Sequence, residues 1–195
     1  IFDAPQDGTL QIWSASAAGG EPRALTTGSV LSANARGAAG LIVFDRLEES
    51  EAHVWRVAPD GTGLRQLTQG SGEQVTALSA DGRLAAFDRW ETLGKVELLA
   101  LETGEVTTIA SDGNTVLGFS PDSSHLLVSQ LSEDESGLAR TVWRALPVDG
   151  GPPTVTFRLP PSAFGQGWGP DGRSLTFRSR TDPAWNIYRL DAKNS

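Results

Sequence analysis

Val43-Phe44-Asp45 recurs along the chain, and this recurrence decides the fold. The same pattern occurs as Ile1-Phe2-Asp3 and as Ala86-Phe87-Asp88, at steps of 42 and 43 residues. Leu127-Val128-Ser129 and Thr176-Phe177-Arg178 continue the series. Self-similarity at a period of about 20 to 50 residues is the signature of repeat architectures.

The residues around each tripeptide predict β-strands. An alternating run follows about ten residues later, as in His53-Val54-Trp55-Arg56-Val57, and a Gly-rich turn leads to a second run ending in Gln66-Leu67-Thr68. A further strand precedes the tripeptide and ends in turn residues such as Ser120-Pro121-Asp122-Ser123. Short alternating runs bounded by Gly, Pro and Asp indicate strands, and no stretch shows a sustained helical period. Four antiparallel strands in 40 to 45 residues form one propeller blade.

The repeat therefore predicts an all-β chain, a β-propeller of four-stranded antiparallel blades. About five blades are expected, three complete and two partial, and we expect them to be part of a larger propeller. The chain is treated as one propeller domain or segment, 1–195, whose predicted units are 1–29, 30–72, 73–113, 114–160 and 161–195.

The large side chains of the repeat are expected to pack between blades, because a single blade cannot bury both of its faces. This prediction covers six residues: Phe2, Phe44, Phe87, Trp13, Trp55 and Trp143.

One segment resembles a known repeat. The stretch Trp168-Gly169-Pro170-Asp171-Gly172-Arg173-Ser174-Leu175-Thr176-Phe177, followed by Asn186-Ile187-Tyr188-Arg189-Leu190-Asp191, resembles the repeat of the TolB-like β-propeller family. Gly19 to Thr26 is similar to the closing Gly-Gly and Leu-Thr of that repeat, and no Trp-Asp signature of the WD40 kind is present. Such propellers occur in periplasmic TolB, in serine peptidases of the prolyl-oligopeptidase type and in exported sensors. The resemblance implies the fold, and function does not follow from fold.

Composition excludes several functional classes. The chain has 195 residues, a net charge of -8 and no cysteine. An acidic domain without a basic stripe is a poor candidate for nucleic-acid binding, and no apolar run is long enough for membrane insertion by this segment. We expect no catalytic, cofactor-binding or metal-binding residues, because there is no nucleophile elbow and His53 and His125 lie in different units. The acidic run Glu133-Asp134-Glu135 is interpreted as a solvated loop.

The candidate binding residues lie between the second and third strands of the units. Four long, decorated loops are predicted there, at 46–51, 89–94, 131–140 and 178–185, and they should emerge on one face of a propeller. Arginine and tryptophan are enriched at interaction hot spots. The candidate partner-binding residues are Arg46, Arg89, Trp90, Arg180 and Trp185. The competing interpretation is that the arginines pair with neighbouring acids such as Glu48, Glu51 and Glu91, and that the tryptophans pack locally.

Two functions fit this sequence. The first is a non-catalytic interaction or sensor module of a bacterial extracytoplasmic protein, periplasmic or extracellular, that binds a protein or peptide and needs no cofactor. The second is the propeller of a prolyl-oligopeptidase-type serine peptidase whose catalytic domain lies outside this chain. In either case another chain or domain could complete the propeller.

Overall fold

Antiparallel β-sheets make up the computed structural model of the chain. It describes residues 1–92, 94–111, 113–133, 137, 139–160, 163–181 and 184–191, without the side chains of Gln166 and Thr181. Three sheets have four strands and two have three strands. Among the described residues the only helical segment is a short 3-10 helix, Trp90–Thr92. The predicted fold class is confirmed.

The chain forms two compact units, 1–92 with 99–106 and 93–98 with 107–195. The division passes through the third sheet. The assignment of the chain to one propeller domain with unit boundaries at 29, 72, 113 and 160 stays a prediction.

The first three sheets follow one another along the chain, each with its strands in sequential order. Sheet 1 contains β1 (Phe2–Gln6), β2 (Thr9–Ser14) and β3 (Arg23–Ala24). Sheet 2 contains β4 (Leu31–Ala38), β5 (Leu41–Glu48), β6 (Glu51–Val57) and β7 (Arg65–Gln66). Sheet 3 contains β8 (Glu73–Leu78), β9 (Leu84–Arg89), β10 (Val96–Ala100) and β11 (Val106–Ala110).

The last two sheets lie in the second unit and have the same sequential order. Sheet 4 contains β12 (Asn114–Phe119), β13 (His125–Glu133), β14 (Ala139–Pro147) and β15 (Val155–Leu159). Sheet 5 contains β16 (Ala163–Trp168), β17 (Ser174–Thr181) and β18 (Ala184–Asp191).

A β-bulge recurs in the first strand of each sheet from 2 to 5. The register shifts between Ala33 and Arg36 in β4 and between Val75 and Ala77 in β8. It shifts again between Val116 and Gly118 and between Gly165 and Gly167. Each shift lies opposite the tripeptide of the following strand, so one local bend accompanies the sequence repeat.

The tripeptide sends alternate residues to opposite faces of its sheet, because side chains alternate along a strand. Phe44 packs in a cluster with Ile12 of sheet 1, whereas Val43 packs in another cluster with Phe87 of sheet 3. Phe44 and Phe87 are fully buried as expected. Phe2 is 40% exposed, so its predicted burial is wrong. The face of sheet 1 that packs on sheet 2 carries Ile12, and Phe2 lies on the opposite face.

The tryptophans do not share one position. Trp55 pairs with Phe44 across the strands, and both Trp13 and Trp55 are only half-buried. Trp143 pairs with Ser129, the third residue of its tripeptide, whereas Trp55 pairs with the second. Trp143 therefore lies on the opposite face of its sheet from the one that Trp55 occupies in sheet 2. It is fully buried there and meets Phe177 edge to face at 6.3 Å between ring centroids. The predicted burial is therefore confirmed for Trp143, whereas Trp13 and Trp55 are buried only in part.

The aspartate of the tripeptide joins neighbouring sheets within the first unit. Asp3 accepts a hydrogen bond from the amide of Asn34 (2.8 Å) in β4. Asp45 accepts one from the amide of Val75 (2.5 Å) in β8 and another from Nδ2 of Asn34 (2.6 Å). Asp45 is 5% exposed, and burial raises its pKa to about 7.

The turn between the first and second strands is closed by serine and aspartate. In sheet 4 the Ser120 hydroxyl donates to Asp122 (2.6 Å) and accepts a hydrogen bond from the amide of His125 (2.9 Å). Hydrogen bonds from Ser120 and Ser124 lower the pKa of Asp122 to about 2. Asp81 and Asp171 form similar turns with Ser79 and Ser174.

Candidate functional site

Four of the five candidate residues lie on strands: Arg46, Arg180 and Trp185 lie within strands rather than on the predicted long loops, and Arg89 is the last residue of its strand. Arg46 lies within β5, and β5 and β6 are joined by only two residues, Glu49 and Ser50. Both have positive φ (50° and 75°), as a tight hairpin turn requires. Arg180 and Trp185 face each other across β17 and β18. The predicted loops at 46–51 and 178–185 are therefore mostly strand, because the hairpins extend further than the sequence suggested.

The other two candidates follow the prediction more closely. Arg89 ends β9, and Trp90 begins the 3-10 helix. In the third predicted loop, 131–140, Leu131 lies in β13 and Arg140 in β14. Residues 134–136 and 138 lie outside the described residues, and with them most of the acidic run.

Arg46 is held against its own sheet. Its guanidinium lies 5.0 Å from the centre of the Trp55 ring, and its Nε is 2.9 Å from Oε1 of Glu48. A cation–π contact at a half-buried site is worth about 1 kcal/mol. Arg46 therefore pairs with Glu48, as the competing interpretation expected, and it holds the two strands of the hairpin together.

Arg89 is bound to a buried carboxylate. Its Nη1 lies 3.0 Å from Oε1 of Glu73, which is 1% exposed. The Thr68 hydroxyl donates to Oε2 of Glu73, and Nδ1 of His53 lies 3.6 Å from the same oxygen. Because His53 pairs with Arg46 across the strands, this polar network brings Arg46 and Arg89 to the same end of sheets 2 and 3.

Two glycines make room at this end. A Cβ at Gly70 would clash with both Arg89 and Glu73. At Gly72, with φ of 63°, a Cβ would lie 3.3 Å from Cβ of Trp90. The amide of Trp90 donates to the Gly72 carbonyl (3.0 Å), so the backbone of Trp90 is fixed beside Gly72, and its side chain is 46% exposed.

An open cavity of about 680 Å³ lies beside this network. Its lining residues are Ser29, Val30, Leu47, Glu48, Glu49, Glu51 and His53. Three of the seven are glutamates, so the cavity is acidic. We call the cavity together with Arg46, Arg89 and Trp90 the hairpin-end surface.

The remaining two candidates, Arg180 and Trp185, lie in the second unit. Trp185 is 53% exposed, and its ring centroid lies 5.5 Å from that of Phe164. The guanidinium of Arg178 lies 5.6 Å from the Phe164 ring and 5.5 Å from the Trp185 ring. Phe164, Arg178 and Ile187 form one row across the three strands. We call this side, with Arg180 and Trp185, the open face of sheet 5.

No group of three or more His, Asp or Glu side chains in the described ranges could hold a metal ion. His125 begins β13, and its Nδ1 is 2.7 Å from the Ser124 hydroxyl. No described helix has the length and apolar character needed to cross a membrane.

Solved structures share this fold. A putative TolB from Agrobacterium tumefaciens matches with a TM-score of 0.69 and 17% identity, over 98% of this chain and 77% of that one. The β-propeller domain of the Trilobed protease from Pyrococcus furiosus, reported to have an open velcro topology, matches at 0.64 and 16%, over 83% and 55%. The fold is that of a TolB-like β-propeller.

An acylaminoacyl peptidase from Pyrococcus horikoshii has the same propeller fold, with a TM-score of 0.65 and 17% identity. The match covers 83% of this chain but only 31% of the peptidase. No protein-family model and no curated protein sequence matches this chain. At these identities the TolB-like propeller comparison establishes fold alone.

Several residues of these surfaces were missed by the sequence reasoning. Glu73 was not considered as the partner of Arg89, because it lies 16 residues earlier, at the far end of the preceding strand of the same hairpin. Phe164 and Arg178 were not considered either. Arg178 carried a usable signal, because it occupies the tripeptide position at which Asp3, Asp45 and Asp88 stand.

Proposed function

We propose that this chain is a non-catalytic propeller module of a bacterial extracytoplasmic protein, and that it binds a protein or peptide at the hairpin-end surface. The observation that carries the proposal is Trp90, which is 46% exposed while its backbone is fixed on Gly72. It stands next to Arg89, whose guanidinium is fixed by Glu73. We propose a periplasmic or extracellular location on the TolB-like fold alone.

An exposed aromatic residue on a fixed backbone suits a binding role. The backbone is already ordered, so only the freedom of the side chain is lost when a partner covers it. Tryptophan and arginine are the residues most enriched among interface hot spots, where truncation costs about 2 kcal/mol or more. Trp90 combines this chemistry with a fixed backbone, and Arg46 and Arg89 lie at the same end of sheets 2 and 3.

The cavity suggests the chemistry of the partner. Glu49 and Glu51 line it, and both are exposed residues at the tip of the β5–β6 hairpin. Leu47 and Val30 supply apolar walls. A peptide with an apolar side chain for Trp90 and a basic side chain for the glutamates would satisfy both parts of the surface, because complementary charge favours the correct partner.

A peptide selection tests the proposal. Random peptides displayed on phage are selected against the immobilised chain, and the affinity of the selected peptide is measured by isothermal titration. We expect Trp90→Ala to weaken binding at least about tenfold, which corresponds to about 1.4 kcal/mol. Leu64→Ala is the matched control, since Leu64 is similarly exposed (42%) on the turn at the other end of β6. Equal affinity for wild type and Trp90→Ala, with loss in Leu64→Ala, would contradict the proposal.

A second function is supported equally by the fold. The Pyrococcus horikoshii match is an acylaminoacyl peptidase, and the Pyrococcus furiosus match is the propeller of a protease. This chain would then be the propeller of a prolyl-oligopeptidase-type serine peptidase. The full-length reading frame distinguishes the two functions: an adjoining α/β-hydrolase sequence with a Gly-x-Ser-x-Gly nucleophile elbow favours the peptidase.

A further inference from the structure

A small pocket lies between β7 of sheet 2 and the part of sheet 3 where β10 ends and the next turn begins. All of its lining residues belong to the first compact unit, and its volume is about 250 Å³. Leu67, Leu99 and Leu101 form an apolar wall that belongs to the core cluster between these two sheets. Pockets for drug-sized ligands measure about 300–1,000 Å³, so this one suits a smaller molecule with one apolar side group.

Two side chains of opposite charge line this pocket without pairing. Arg65 lies on β7, and Glu102 lies in the turn between β10 and β11. Among the residues that the structure describes, neither side chain makes an ion pair or a hydrogen bond. Ligand pockets are mostly apolar, with a few polar groups that fix the orientation of the ligand. Arg65 and Glu102 supply one positive and one negative group of this kind.

A second arginine lies beside Arg65. Arg56 of β6 is directly opposite Arg65 in the strand register, so both side chains leave the same face of sheet 2. Within the described ranges Arg56 has no acidic partner either. Like charges directly opposite each other on neighbouring strands are destabilising. A carboxylate bound here relieves this repulsion, and arginine binds carboxylates through two parallel hydrogen bonds.

The turn that carries Glu102 is held in place by its own backbone. The amide of Ala100 donates to the Glu105 carbonyl (2.9 Å), and the amide of Gly104 donates to the Ala100 carbonyl (2.8 Å). Gly104 has a φ of 78°, which a glycine adopts without strain. The backbone of Glu102 is therefore ordered before a ligand arrives, which lowers the entropy cost of binding.

We propose that this pocket binds a free α-amino acid with a branched aliphatic side chain. Arg65, with Arg56 beside it, binds the carboxylate of the ligand, and Glu102 binds its ammonium group. The aliphatic side chain packs on the three leucines. A free amino acid carries both charges next to its side chain and so satisfies Arg65 and Glu102 together, whereas a simple carboxylic acid or amine satisfies only one of them. The pocket shares no residue with the hairpin-end surface, so the two proposals are independent.

Isothermal titration of the 195-residue chain with L-leucine tests this. We expect one bound leucine per chain with a Kd of about 1 mM or lower. Leucine amide lacks the carboxylate and N-acetyl-leucine lacks the ammonium group, so each should bind at least about tenfold more weakly, which corresponds to a loss of one charged contact. L-Aspartate, which keeps both charged groups but has no aliphatic side chain, should bind more weakly as well.

Two variants assign the charged contacts. Arg65→Gln and Glu102→Gln should each weaken leucine binding at least about tenfold, with β-sheet circular dichroism unchanged because both residues are exposed. The matched controls Arg158→Gln, on the outer strand β15, and Glu105→Gln, in the same turn as Glu102, should bind leucine like the wild type. An absence of leucine binding at about 10 mM would overturn the proposal. So would equal affinities for leucine and N-acetyl-leucine, or wild-type leucine affinity in either pocket variant.

Discussion

Asp45 should make the protein less stable as the pH rises through neutrality. Its carboxylate joins sheets 2 and 3 while 5% exposed, and the hydrogen bonds from Val75 and Asn34 offset only part of the cost of burying its charge. Arg36 lowers the pKa of Asp45 and Asp88 raises it, but burial is the largest influence. The net result is a pKa raised from 3.8 to about 7.

The sign and size follow from proton linkage. A raised pKa means that the folded state binds the proton more tightly than the unfolded state, so Asp45 stabilises the fold fully below about pH 4. This contribution is lost as the pH rises through about 7. One pKa unit corresponds to about 1.36 kcal/mol, so the full effect is about 4 kcal/mol at most. Asp45→Asn removes it, because an amide stays neutral and can still accept the Val75 hydrogen bond once Asn34 rotates its amide.

Urea unfolding followed by tryptophan fluorescence measures the effect at pH 5, 6, 7 and 8. We expect the difference in unfolding free energy between Asp45→Asn and wild type to move in favour of the variant by about 2.6 kcal/mol between pH 5 and pH 8. In a protein that keeps Asp45, Asp88→Asn should lower the pH at which this stability is lost, because it removes a charge that raises the pKa of Asp45. Parallel pH profiles for Asp45→Asn and wild type would refute the reasoning.

Three further predictions concern stability. Trp143→Ala should lower the unfolding free energy by about 3–5 kcal/mol, as for other buried aromatic residues, and Trp55→Ala should lower it by about half as much because Trp55 is half-buried. Equal denaturation midpoints for the two variants would show that the burial assignment is wrong. Arg89→Ala should lower the unfolding free energy by about 3 kcal/mol, because it leaves Glu73 buried without its cation. Adding Glu73→Gln should recover part of that loss in a double-mutant cycle, and strictly additive effects of the two substitutions would contradict the pairing. The pKa of Asp122 is lowered to about 2, so its carboxylate should stabilise the fold above about pH 4 and lose this effect as the pH falls through about 2. Asp122→Asn should therefore reduce the loss of unfolding free energy between pH 4 and pH 2, and an unchanged loss would contradict this role.

The repeat predicted the fold because each blade obeys the same local rules. The tripeptide, the alternating runs and the Ser-Asp turns specify strands and hairpins from short stretches of sequence, and the structure has them in the expected order. Phe44 and Phe87 are buried as the repeat required. Trp143 is buried as well, but on the opposite face of its sheet from Trp55, because a shift of one residue in a strand moves a side chain to the other face.

The site was harder to predict, because exposure and partners depend on contacts between strands that are distant in sequence. Arg46 and Arg89 lie near the ends of the second strands, where the repeat puts them, but their neighbours Trp55 and Glu73 come from other strands. Arg180 and Trp185 were assigned to a loop because nothing in that segment marks how far a hairpin extends.

Hydrogen exchange of the peptide complex tests most directly the claim that a partner binds the hairpin-end surface. The chain is labelled with and without the selected peptide, and protection is compared between the two ends of sheets 2 and 3. We predict slower exchange at residues 47–53 and 70–73 and in the 3-10 helix Trp90–Thr92. Protection confined to the opposite turns, at 58–64 and 79–83, with no change at Trp90, would contradict the claim.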